Sequence, residues 1–341
     1  LYFADYITTH SVCRLVMFPG RTSRMISKSK VLVFLLFFTG IGVYFKTGYQ
    51  LTHYAVDQKL CACIKCLSED KQLLLDRSNR SVQPFLTANL NLSQNEFNWW
   101  KDLQAESRSF RVYETTVANL FQIFPKNPDV IQPKYDHCRT CAVVGNSGNL
   151  RRSHYGPLID LHEVVIRMNT GITRGFEKDV GNKTTHHVMY PESAVDLDDN
   201  THFVLFPFKI QDFEWLINAS TTGFTGRSYM PVKSKIKTNK DLVMVVNPAF
   251  MKYVHEVWLG NKGRYPSTGF MALILALHIC DEVNVFGYGA DSDGNWSHYW
   301  EILTNKRLRT GVHPGNYEYN IIQQLAQQQK IKFYEGLMKK M

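Results

Sequence analysis

The 341-residue sequence has no internal repeat and no low-complexity tract, which excludes a repeat array and a disordered chain. Acidic residues are the scarcer charge, 30 against 39 Lys and Arg, for a formal net charge of +9. The basic residues never gather into a stripe interleaved with stacking aromatics, so no nucleic-acid partner is expected. A positive surface of this kind suits an anionic ligand or an anionic membrane face instead. Long apolar runs are missing except for one, VLVFLLFFTGIGVYF at residues 31–45, preceded by Arg21, Arg24, Lys28 and Lys30 and followed by Lys46. No small-residue cleavage site follows it, which favours an uncleaved signal anchor over a cleaved signal peptide.

The chain also lacks an initiating methionine, whereas Met25 begins a short basic stretch ahead of the apolar run. The expected organisation is therefore a non-native upstream or short cytosolic segment at 1–24, a cytosolic tail at 25–30 and a transmembrane helix at 31–45. A lumenal stem carrying the start of the folded region follows at 46–95, and a catalytic domain at 96–341. With 44% hydrophobic and 13% aromatic residues, the chain has the material for one large core.

Setting aside Cys13, six cysteines fall on the lumenal side: Cys61, Cys63, Cys66, Cys138, Cys141 and Cys280. An even number in an oxidising compartment points to three disulfides with 15 possible pairings, while the CxCxxC and CxxC spacings leave zinc as the competing use. Cys141 and Cys280 each precede an expected strand, so parallel neighbours would bring them to one sheet edge. Acceptor sequons stand at Asn79, Asn91, Asn182, Asn218 and Asn295, with the first two in the stem the better placed for a glycan.

From residue 96 to 123 the pattern is helical, with Trp99, Trp100 and Leu103 sharing a face. Beyond Cys141, short β-branched runs alternate with helical segments. Strands are expected at Ala142–Val144, Val164–Met168, His187–Tyr190, Phe203–Phe206, Leu242–Val246, Glu282–Phe286 and Ile331–Tyr334. Helices are expected at Phe213–Ser220, Ala249–Leu259, Ser267–His278 and Tyr317–Gln328. This rhythm predicts an α/β fold, a Rossmann-like domain whose mostly parallel sheet is flanked by helices, with ligands at the carboxyl ends of the strands. Loops at Asn146, Asn169, Tyr190 and Gly289 fall there.

The segment CAVVGNSGNLRRSHYGPLID places a strand, a glycine-containing turn and a helix start in sequence. Gly145 and Gly148 are not spaced as in the dinucleotide fingerprint, so a phosphate loop is supported without a named cofactor, and a dehydrogenase or methyltransferase is disfavoured. In GRYPSTG, Pro266 opens a helix with Ser267 and Thr268 in its first turn, a place where free N–H groups attract an anion. His298 opens HYWE, and His313 stands five residues before Glu318. Each has a plainer use: His298 in an aromatic cluster with Trp296, Tyr299 and Trp300, His313 as an exposed loop residue, Glu318 as a charge at a helix N-terminus.

In this order the four motifs resemble the L, S, III and VS sialylmotifs of animal sialyltransferases. TTHHVMYPES, ICDEVNVFGYGADS and NWSHYWE are most similar to the β-galactoside α-2,3-sialyltransferases acting on Galβ1,3GalNAc. The resemblance spans about residues 61–336 and implies a GT-A-like variant fold. It also implies inverting transfer of sialic acid from CMP-sialic acid to a galactose hydroxyl in the Golgi. Galactose-terminated glycoproteins or glycolipids would be the acceptors. His313 would be the general base and His298 the contact to the donor phosphate. Asn146 and Asn169 would bind the nucleotide, Gly269 and Gly289 would admit it, Tyr229 and Tyr265 would face the phosphate or acceptor, and Gln104 would hold the galactose. It further implies the pairs Cys61–Cys66, Cys63–Cys138 and Cys141–Cys280.

No metal is expected. Asp196 with Asp198 and Asp291 with Asp293 have the DxD spacing of metal-binding transferases, but CMP carries a single phosphate and has little need of a divalent ion. The alternative from another class is a lumenal glycan-binding protein with the same fold and no turnover. The basic segment Asn305–Arg309 and the pair Pro314-Gly315 are individual to this chain beside the site, and bear on acceptor preference.

Overall fold

The computed structural model describes residues 36–46, 61–64, 66–67, 82–128, 134–291, 293–302 and 309–336. The sequon at Asn79, the segments 1–24 and 25–30 and the start of the apolar run lie outside the described residues. Two compact units are present, residues 1–57 and 58–341. In the first, residues 36–46 are helical. Among the described residues no helix is long and apolar enough to cross a membrane.

The second unit is built on one seven-stranded parallel sheet. Its strands are β1 (Thr140–Val144), β2 (Val164–Met168), β3 (His186–Met189), β4 (His202–Leu205), β5 (Val243–Val245), β6 (Glu282–Phe286) and β7 (Lys332–Tyr334), in the order β5-β4-β3-β2-β1-β6-β7. The order reverses between β1 and β6, which makes the carboxyl ends of those two strands the switch point where such sheets bind ligands.

Both faces of the sheet are buried, so strand residues serve two cores in alternation. Cys141 and Val143 enter one core, Ala142 and Val144 the other. The main helices of this unit are α1 (Gln94–Asp102), α2 (Phe110–Leu120), α3 (Gly156–Asp160), α4 (Glu177–Val180), α5 (Ile210–Ala219), α6 (Pro248–Tyr253), α7 (Thr268–Ile279) and α8 (Gly315–Gln327). Helix α7 is apolar around its whole circumference, with Phe270 to Leu277 buried, as a helix packed on every side must be. Fully burying each of its large side chains contributes about 1.5–3 kcal/mol.

Strands β2 and β6 have the expected bounds, and the others differ by one or two residues at an end. The helix expected at Phe213–Ser220 is Ile210–Ala219, and two differences are larger. The helical pattern of 96–123 is two helices, broken where Ala105 takes a φ of 52° and Glu106 engages the side chain of Arg108 and the N–H of Ile210 at the start of α5. The helix expected over Ala249–Leu259 is α6 followed by a π-helical turn at Val254–Trp258.

Disulfides join Cys61 to Cys66, Cys63 to Cys138 and Cys141 to Cys280. The last ties β1 to the residue ahead of its parallel neighbour β6, as the strand argument expects. Cys61, Cys63 and Cys138 also lie near Asp281 and Glu282, but their sulfurs are held in the Cys61–Cys66 and Cys63–Cys138 disulfides rather than free as thiolates.

Candidate functional site

Gln104, Asn146, Asn169, Tyr229, Tyr265, Gly269, Gly289, His298 and His313 all line one cavity of about 400 Å³. It lies at the carboxyl ends of the strands, over the β1/β6 switch point.

Its floor is made by turns. Gly145 N–H donates to the carbonyl of Phe286 and Ser147 N–H to that of Gly287, locking the loops after β1 and β6 together. A Cβ on Gly145 would come within 2.3 Å of the Gly287 carbonyl oxygen, so only glycine fits. Gly289 has a φ of 96°, and the ring of Tyr319 fills the space a side chain there would take. Gly269 faces Tyr288 and the sulfur of Met168. Protein packing thus accounts for both of these glycines at the cavity wall.

Asn146 Nδ2 donates to the carbonyl of Met168 at 3.0 Å. Asn169, just beyond β2, sits in the left-handed region at φ 54°, a conformation asparagine tolerates better than most residues. His187 Nε2 donates to its carbonyl at 2.6 Å and Ser193 Oγ to its Oδ1 at 3.1 Å. Burial holds the His187 imidazole down to about 4, so it is a neutral, fixed donor. The neighbouring His186 faces the other way and stacks on His202 at 4.4 Å, as alternation along a strand requires.

Two imidazoles border the cavity in unlike settings. His313 follows a turn closed by its N–H on the Thr310 carbonyl and by Thr310 Oγ1 on its own carbonyl. Its Nδ1 lies 3.1 Å from the carbonyl oxygen of Tyr265, an acceptor only, so Nδ1 carries the proton and Nε2 keeps a lone pair. Burial pulls its pKa below the ordinary imidazole value, against the opposing pull of that carbonyl, and favours the neutral base. The Tyr265 hydroxyl accepts from Gln104 Nε2 at 3.2 Å, and its ring packs edge-on against His313 at 5.0 Å. His298 instead has Nδ1 at 2.8 Å from Glu301 Oε1 and its ring stacked on Trp300 at 4.7 Å. Burial pushes the Glu301 carboxyl up, but hydrogen bonds from the His298 backbone and ring outweigh it and hold the carboxyl below its usual range.

Glu318 is buried, and it accepts from the N–H of Ser267 at 2.8 Å and from Ser267 Oγ at 2.6 Å. It is a charge at a helix N-terminus, that of α7 as well as its own α8. Burial raises its pKa, and the Ser267 bonds oppose the rise.

The outer wall contains residues that the sequence did not single out for the site: Glu192 after β3, and Phe208 and Lys209 after β4, together with Tyr288 after β6. Position alone could have found Glu192 and Lys209, since each follows a strand end within a few residues. Burial first, then the charge of Glu192, push the hydroxyls of Tyr190 and Tyr229 up, so both stay protonated hydrogen-bond donors. Neither DxD pair lines the cavity. Asp196 pairs with Lys233 at 2.7 Å, Asp198 accepts from Thr201, and Asp291 accepts from the backbone of Asp293 and from Asn295.

Residues 85–330 match Glycosyltransferase family 29 (sialyltransferase). Over 282 residues the chain is 47% identical to a Sus scrofa CMP-N-acetylneuraminate-beta-galactosamide-alpha-2,3-sialyltransferase 1, spanning 81% of this chain and 82% of that one. It is 49% identical to the Gallus gallus protein of the same name, with the same shares covered. It also resembles a crystal structure of a mammalian sialyltransferase in complex with Gal-beta-1-3GalNAc-ortho-nitrophenol. That likeness has a TM-score of 0.75 at 47% identity, over 81% of this chain and all of the other.

Proposed function

The chain belongs to glycosyltransferase family 29, the sialyltransferases, and on that basis we propose that it transfers sialic acid from CMP-sialic acid to galactose in Galβ1,3GalNAc, on O-glycans or glycolipids. The 3-hydroxyl attacks, the anomeric centre inverts, and His313 takes the proton. The observation that carries the mechanism is the tether of His313 Nδ1 to the Tyr265 carbonyl, which reserves Nε2 for a proton from the acceptor.

A galactose hydroxyl is a weak nucleophile and needs a base that is unprotonated at working pH, which a partly buried, neutral imidazole supplies. The leaving CMP phosphate is already acidic and needs charge stabilisation more than a strong acid. His298, with Nδ1 engaged by Glu301, has Nε2 left for that phosphate. Tyr229 donates a phenolic hydrogen there without adding charge. Asn146 and Asn169 hold the nucleotide, and Gln104 with Tyr265 receives the galactose. The reaction as proposed needs no metal, and the apolar run at 31–45 anchors the protein as a single-pass type II protein of the Golgi membrane.

The test is transfer of radiolabelled sialic acid from CMP-sialic acid to Galβ1,3GalNAc, with and without EDTA, by the wild-type chain and by His313→Ala. Wild-type activity should survive chelation, and its acid limb should lie below the ordinary imidazole pKa of about 6.5. Equal rates for the two proteins would end the assignment of the base. No transfer by either would favour a glycan-binding protein without turnover.

A further inference from the structure

We propose that Glu192 is a positioning residue: it latches the segment that carries Tyr229 over the cavity and so sets the affinity for the cytidine nucleotide. This inference rests on the donor assignment proposed above.

Residues 220–239 contain neither helix nor strand. Both ends of the segment are tied down, by Phe224 N–H to the Ser234 carbonyl, Ile236 N–H to that of Ala219, and Trp215 Nε1 to that of Lys233. Between them, among the described residues, 227–232 make no backbone-to-backbone hydrogen bond. Among the described residues their hydrogen bonds are two. Gln211 Nε2 donates to the Arg227 carbonyl at 2.9 Å, and Ser228 Oγ donates to Glu192 Oε1. Tyr229, still 66% exposed, comes immediately after.

Glu192 suits the task because it is itself immobilised. Its side chain is only 3% exposed, and Oε1 lies 3.1 Å from the ammonium of Lys209. That ammonium lies 3.0 Å from Asp212 Oδ1 and 5.6 Å from the centroid of the Tyr229 ring. The carboxylate therefore holds the hydroxyl of Ser228 directly and the ring of Tyr229 through Lys209. A surface segment of this length without its own structure is entropically free unless such contacts fix it. Lys209 also offsets one of the two negative charges that Glu192 and Asp212 would otherwise leave beside a cavity meant for an anion.

The test combines CMP binding by calorimetry with trypsin cleavage after Arg227, on wild type, Glu192→Ala, Ser228→Ala, Tyr229→Ala and the double variant Glu192→Ala/Tyr229→Ala. Loss of the charged acceptor or of the ring should each raise the Kd for CMP about tenfold, and the double variant should be no weaker than either single one. Cleavage after Arg227 should quicken in Glu192→Ala and in Ser228→Ala, the latter leaving the buried cluster intact in case the former folds poorly. In steady state the KM for CMP-sialic acid should rise while that for Galβ1,3GalNAc stays constant. Additive losses, unchanged or tighter CMP binding, or unchanged cleavage would overturn the proposal. Failure of the wild type to bind CMP would instead overturn the donor assignment, and the cleavage arm would still judge the latch.

Discussion

The floor of the cavity, formed by the turns after β1, β2 and β6, hangs on backbone hydrogen bonds between neighbouring loops, such as Gly145 N–H to Phe286 and Ser147 N–H to Gly287. Its outer wall, carrying Glu192, Lys209, Tyr229 and His313, hangs on side chains from segments distant in sequence. On the function proposed above, the nucleotide lies mainly on the floor and the proton-accepting imidazole belongs to the wall. Damage to the two halves should then have different symptoms.

The largest effect is expected from the wall. Replacing His313 with alanine should lower the transfer rate about 10²–10⁴-fold while leaving CMP affinity within a factor of about two. Paired rate and calorimetric measurements check this, and a parallel loss of CMP binding would blur the division. At the opposite, amino-terminal ends of the two strands that carry the floor, damage should show as lost stability instead. Cys141→Ala/Cys280→Ala removes the bond between β1 and the lead-in to β6, which closes a sequence separation of 139 residues. A loss of about 2–5 kcal/mol is expected, read as a lower denaturant midpoint under non-reducing conditions.

A smaller, graded effect concerns acid. The folded pKa values of His186 and His187 are held down to about 3 and about 4 by burial, against 6.5 as the ordinary value. Below pH 6.5 the unfolded chain therefore binds protons that the folded one refuses. Stability contributed by these groups is complete above about pH 6.5 and falls by about 1.4 kcal/mol per pH unit per group until the folded pKa is reached. His186→Gln should flatten that slope by one proton in a pH series of melting curves; an unchanged slope would show that His186 takes no part. The smallest effect is expected from Gln104→Ala, which removes the hydrogen bond to the Tyr265 hydroxyl. About a three- to tenfold rise in acceptor KM with donor KM unchanged would confirm its place on the acceptor side.

The two halves also differed in how well the sequence revealed them. The floor was legible because its geometry is local: the run Gly-Asn-Ser-Gly after β1 announces a turn, β2 opens on the β-branched run Val-Val-Ile, and β6 alternates valine with polar residues before Phe286. Glu192 and Lys209 gave only the weaker signal of following a strand end, because the pair they form with each other joins positions 17 apart in sequence. The break between α1 and α2 was silent, having no glycine or proline to mark it. It is held by Glu106 reaching the N–H of Ile210, a partner 104 positions away. Only the tertiary structure brings that backbone group near enough to compete with continued helix.

The turn from Asp291 to Asn295 has one more consequence. Asn295 is the first residue of an Asn-Trp-Ser triplet, yet it is only 2% exposed and its amide nitrogen lies 3.2 Å from both carboxylate oxygens of Asp291. An oligosaccharide fixed to that nitrogen while the chain is still emerging would keep Asp291 from closing on it. Occupancy at this triplet would therefore mark polypeptides that never matured, and mass spectrometry of retained against exported material would separate the two populations.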